Sequence, residues 1–226
     1  MAVAYDSAVA GTGVTSASSL TFSFTNSAGD AMAVGVGTEW FGVTVSGITY
    51  NGTAMTQQYN AGHNTYFGHA GFTLLSPATG AHDVVVTMTG TTDRIQAGAI
   101  SVSGAGSVGN VATATGSSTS ATVDVASATG NMVVGLQACR TSDNWTVGAG
   151  QTERYRDVSS NFICMGSTEA GASTVTTSWD ETFTGGPWGI GAIEFVASGG
   201  GGTTRGNPFN IGNAFNGGRT FAGIIR

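Results

Sequence analysis

Two short segments of the chain share a phrase. Residues 97–104 read AGAISVSG, and residues 189–197 read GIGAIEFVA. In each, Gly-Ala-Ile opens a run with a larger apolar residue at every second position: Ile100 and Val102, then Ile193 and Phe195. A period of two marks a β-strand with one buried and one wet face. No stretch sustains a 3.6-residue apolar period, so the chain is expected to be all-β with very little helix. Ser and Thr fill most polar positions, and they suit strands better than helix interiors.

These two segments close two similar sets of strands. In the first set, residues 20–25 (LTFSFT), 31–37 (AMAVGVG) and 43–50 read as strands, with turn residues 26–30 (NSAGD) between the first two. Asn51-Gly52 then signals a hairpin, with 54–59 as the return strand. Strands follow at 66–75 and 83–89, residues 91–94 (TTDR) turn, and 97–103 closes the set. A Gly/Ser/Ala connector at 104–120 leads to the second set. There 121–125 matches 20–24, 161–166 takes the place of 66–75, 173–179 that of 83–89, and 189–196 closes. Residues 129–136 (TGNMVVGL) resemble 28–36 (AGDAMAVGV), with Met32, Val34 and Gly35 recurring as Met132, Val134 and Gly135. The expected architecture is a two-sheet antiparallel sandwich of jelly-roll type over 1–197. Two tandem lobes, 1–104 and 105–197, are the alternative.

Charge divides the chain differently. Residues 1–197 hold all 13 acids and four arginines, while 198–226 hold three arginines and no acid. An acidic body lacks the basic footprint that nucleic acid requires. The N-terminal sequence has neither a basic n-region nor an apolar h-region, and no run approaches the ~20 apolar residues that span a bilayer. Synthesis in a host cytoplasm without export, and no membrane partner, are expected.

Residues 198–206 (SGGGGTTRG) form a flexible tether by composition. Beyond them an apolar, basic arm carries Arg205, Phe209, Ile211, Phe215, Arg219, Phe221, Ile224, Ile225 and Arg226 in a Gly/Asn matrix. Such a segment docks on another surface, its arginines facing acids.

Chemistry-bearing candidates are few. His63, His69 and His82 lack a carboxylate at metal-ligand spacing, so no metal and no cofactor are expected. No G-x-S-x-G elbow frames a serine. Glu153 with Asp157, and Asp180 with Glu181, read better as solvated loop charges than as paired catalytic acids. Cys139 and Cys164 are either two buried thiols or a cross-strand disulfide. Trp40, Trp145 and Tyr155 lie in or beside loops, where aromatics stack on sugar rings or cap a core.

The phrases VSGITYNGTAMT, FTLLSPATGAHDVVVTMTG, AGAISVSG and WGIGAIEF, spread over residues 20–197, resemble β-sandwich proteins encoded in tailed-phage structural gene regions and in bacterial surface proteins. The resemblance implies a non-enzymatic virion component of the capsid-decoration, head-fibre or tail-associated type. Its expected partners are other virion subunits, in a homo-oligomer. A carbohydrate- or receptor-binding module using the loop aromatics, with a surface glycan as partner, is the alternative.

Overall fold

Alternating patterns dominate this chain, and its described residues fold almost entirely into strands. The structure is a computed structural model that describes residues 1–39, 42–63, 67–140, 144–182 and 185–199. In the N-terminal half, β1 (Ala4–Ala10), β2 (Val14–Asn26), β3 (Ala31–Glu39), β4 (Val45–Tyr50), β5 (Thr53–Ala54), β6 (Thr56–His63), β7 (Phe67–Leu75) and β8 (Gly80–Ser103) form one antiparallel sheet. The 24-residue β8 belongs to two leaves. Its first part pairs with β2 and β4, and its last part pairs with β3 and β1. Folded over in this way, the sheet traps Leu20, Phe22, Phe24, Ile48, Tyr50 and Val86 of the outer leaf against Met32, Val34, Val36, Phe72 and Ala99 of the inner.

The C-terminal half repeats the plan with the long strand cut in two. Its inner sheet is β13 (Thr152–Ser159), β14 (Phe162–Ala170), β11 (Met132–Cys139), β16 (Trp188–Ala197) and β9 (Ala105–Gly116), in that order. Its outer sheet is β10 (Ser120–Ala126), β15 (Thr174–Glu181) and β12 (Trp145–Val147). Val125, Trp145, Met165, Trp179, Trp188 and Ile190 fill the space between. The inner sheets of the two halves then pack against each other through a third core, which includes Ala33, Ile100, Val102, Val134, Leu136, Ile193 and Phe195. The all-β antiparallel sandwich therefore forms, with three sheets rather than two.

Register gives the residue equivalences between halves. Gly35 pairs with both Gly71 and Gly98, and Leu136 pairs with both Gly166 and Gly191. Gly35 thus corresponds to Leu136, one residue away from the match suggested by the Met/Val/Gly phrase. The slip matters because one residue exchanges the faces of a strand. Met32 lies in its own half's core, whereas Met132 packs toward the seam between halves.

Four other expectations change, the first because a doubled sandwich has more buried faces than a single one. The two closing strands are buried on both faces, because small residues (Ala97, Ala99, Ala192) meet the half's own core opposite Ile100 and Ile193. Residues 91–94 do not turn; they lie inside β8. The connector 104–120 contains β9, an inner-sheet strand paired with β16. The Asn51-Gly52 hairpin forms as expected, with φ of 48° and 74°. Its return strand, however, is only β5, and β6 crosses to pair with β7.

At the seam, each half inserts one tyrosine. A register shift just before Tyr59 in β6 and just before Tyr155 in β13 turns both rings inward. Tyr59 lies over Gly71 of its own half and Gly191 of the other; Tyr155 lies over Gly166 and Gly98. Any Cβ at these glycines would collide with a ring, so glycine is required here for close approach rather than for backbone freedom.

Candidate functional site

The two halves act as internal controls, and a site appears where one half lacks what the other has. In the C-terminal half, one end of the sandwich is closed by Trp145, the first residue of β12. Trp145 pairs with Glu181, and Val45 pairs with Met88 in the equivalent place. The C-terminal half therefore puts an indole where the N-terminal half has an isopropyl group. The surrounding positions differ in the same direction. Gly68, Ala70 and Asn60 stand where the other half has Ile163, Met165 and Arg156, as the pairings of β7 with β6 and of β14 with β13 establish.

Among the described residues, the result is a hollow of about 360 Å³ at the mouth of the N-terminal half. Val36, Val43, Val45 and Ala70 give it apolar walls; Thr38, Thr44 and Asn60 add polar groups. Its size falls within the range of small-ligand or side-chain pockets. Asn60 and Gly62 are exposed, whereas Val36 and Ala70 are buried, so the hollow opens outward from a buried floor. Gly42, at φ 107°, turns the chain along one wall. Beside the mouth, Glu39 receives Arg94 at 3.3 Å and Arg140 of the other half at 2.8 Å. These ion pairs place the ends of β3 and β11 at the same pole.

The other enclosed chemistry sits in the seam. Tyr59 Oη lies 3.3 Å from His69 Nε2, and Tyr155 Oη lies 3.9 Å from Cys164 Sγ at the equivalent position. Burial drives the His69 imidazole down to about 3 and keeps it neutral. Burial likewise pushes the Cys164 thiol up to about 12, reinforced by the Asp157 charge. Both tyrosines are raised by burial. Burial thus keeps the imidazole and the thiol uncharged. A shallower groove lies beside the hairpin, lined by Asn51, His82 and Asp83. There His82 Nε2 meets Thr79 O at 3.0 Å.

No family model, curated protein or solved structure matches the chain.

The sequence-derived candidates are scattered over the molecule. Trp145 is 2% exposed and Tyr155 5%, so neither presents a ring face to a sugar: the first plugs its own half and the second fills the seam. Trp40 and the arm residues of 203–226 lie outside the described residues. No disulfide joins Cys139 and Cys164. Cys139 pairs with Ile163 and Ala138 with Cys164, so the two sulfurs point to opposite faces of one sheet. Among the described residues, no group of three or more His, Cys, Asp or Glu could hold a metal ion. Two acids assigned to solvated loops, Asp157 and Glu181, are buried on strands. Glu153 is held by Arg156 at 2.7 Å. Sequence reasoning missed the hollow and its lining residues. The available signal was Gly68 and Ala70 opposite Ile163 and Met165, visible only with the halves aligned in the correct register.

Proposed function

We propose that this protein is a non-enzymatic structural subunit of a phage virion, of the surface, decoration or fibre type, fastened through residues 198–226. The observation that carries this reading is the way the chain leaves the folded body. Ser198 N donates to Gly104 O at 2.7 Å, and the Met1 ammonium donates to Ser198 O at 3.4 Å. The exit is thereby pinned at one pole, beside the start of β1. Beyond Gly199 the sequence is glycine-rich, then basic and apolar with no acid, while the body before it is strongly acidic. Opposite charges on arm and body favour contact between copies and with other acidic surfaces. The doubled sandwich, tied together by a buried seam, suits rigid display.

A glycan-binding module has less support, since Trp145 and Tyr155 are committed to cores. The test is a chain truncated after Gly199, which keeps the Ser198 contacts. It should retain the full-length unfolding transition and lose association with particles or with other copies. Association equal to that of the full chain refutes the fastening role.

A further inference from the structure

We propose that the hollow mouth of the N-terminal half receives an aromatic side chain from residues 207–226 of a neighbouring copy, joining copies head to tail. This inference rests on the fastening role of the arm and adds the surface that receives it.

The first argument is shape. The equivalent mouth in the C-terminal half is filled by an aromatic ring of the chain itself, Trp145, and buried to 2% exposure. The N-terminal mouth has the same walls trimmed back to Val45, Gly68 and Ala70, leaving about 360 Å³ among the described residues. A mostly apolar hollow with an open rim favours a ring rather than a charged or heavily hydroxylated group, which would lose its hydration there. The arm sequence holds three such rings: Phe209, Phe215 and Phe221.

The second argument is direction. The mouth lies at the pole where β3 and β11 end, marked by the Glu39–Arg140 contact. Trp188, at the start of β16, pairs with Cys139 at that pole, and Ala197 lies at the opposite end of the strand. Ten residues of strand at ~3.3 Å each separate the exit from the mouth by roughly 30 Å. A chain docking on its own hollow must turn back over its whole body. A neighbour stacked end to end delivers its exit directly to the mouth. Ten residues from Gly199 to Phe209 reach at most ~35 Å, enough to cross between stacked copies. Such a contact joins different surfaces of the two copies, so it propagates into a row unless a rotation closes it.

Sedimentation velocity of the full chain over a range of concentrations tests this. Val45→Trp fills the hollow as Trp145 fills the other half. Should Val45→Trp fold poorly, Ala70→Met fills the same space with the residue found at the equivalent position. The expected result is concentration-dependent association of the parent. Loss of a buried aromatic anchor should weaken it about thirtyfold in the hollow-filling variant and in a Phe209→Ala/Phe215→Ala/Phe221→Ala variant, with unfolding transitions unchanged. A synthetic peptide of residues 203–226 should dissociate the parent. If truncation after Gly199 abolishes association while a folded hollow-filling variant associates normally, the arm docks elsewhere: this inference falls and the fastening role stands. If truncation leaves association intact, both fall. A full chain that stays monomeric at every concentration also overturns the inference.

Discussion

Gly98 offers the sharpest test of the seam. The Tyr155 ring is held edge to edge between Gly98 of β8 and Gly166 of β14, with its hydroxyl toward Gly35. The Gly98 backbone is not left-handed, so alanine fits its conformation. By the unfolded-state effect alone, Gly98→Ala would stabilise the protein by about 0.4–1 kcal/mol. The added Cβ, however, would overlap Cδ2 and Cε2 of a 5%-exposed ring with no space to move into. Overpacking of this kind costs about 1–3 kcal/mol, so a net loss of about 1–2 kcal/mol is expected. For a chain of this size that lowers Tm by roughly 2–8 °C. The mechanism is isolated by a double-mutant cycle in urea, followed by the fluorescence of the buried Trp145, Trp179 and Trp188. In a Tyr155→Ala background, itself destabilised by about 3–5 kcal/mol, Gly98→Ala should become neutral or stabilising. Gly47→Ala, where a Cβ meets nothing within 4 Å, is the matched control and should be neutral or stabilising. If Gly98→Ala costs nothing, or costs the same in both backgrounds, the glycine–tyrosine account of the seam is wrong.

Buried groups give two further outcomes. Burial raises Asp157 from 3.8 to about 6, with the backbone amides of Ala97 and Gly13 pulling it back. A folded pKa above the unfolded one means stability is complete below pH 4 and declines as pH rises through 6. Asp157→Asn should flatten urea-unfolding profiles between pH 4 and 7. It should also stabilise the protein at pH 7 by up to about 2 kcal/mol, allowing for solvent screening; an unchanged pH slope refutes this. Cys139 and Cys164, on opposite sheet faces, should resist mild oxidants and alkylation at pH 8 in the native state. Both should react after unfolding, and mass spectrometry showing an intramolecular disulfide in the folded protein would contradict the assigned register.

Much of the fold was legible because strand patterning is local. The alternation at 20–25, the Asn51-Gly52 turn and the Gly-Ala-Ile closing strands all report on nearest neighbours, where side-chain period and backbone preference act. The repeat was legible too, but its register was not. Met-x-Val-Gly occurs one residue out of phase in β3 and β11, and only the pairing of Gly35 and Leu136 with their flanking glycines fixes the alignment. Aromatics next to loop signals read either as sugar-stacking or as core-capping, and the local pattern does not choose between them. Trp145 and Tyr155 proved buried because a mouth and a seam, neither encoded locally, closed over them.

The amino-acid sequence alone determined the class of secondary structure, the acidic body and the basic apolar arm, since these depend on composition and short-range period. Only the tertiary structure decided which faces are wet, that the halves press their inner sheets together, and that among the described residues one mouth is plugged while the other is hollow. Those outcomes depend on residues far apart in the sequence packing into one core, where glycine at the position that holds isoleucine in the other half leaves empty space.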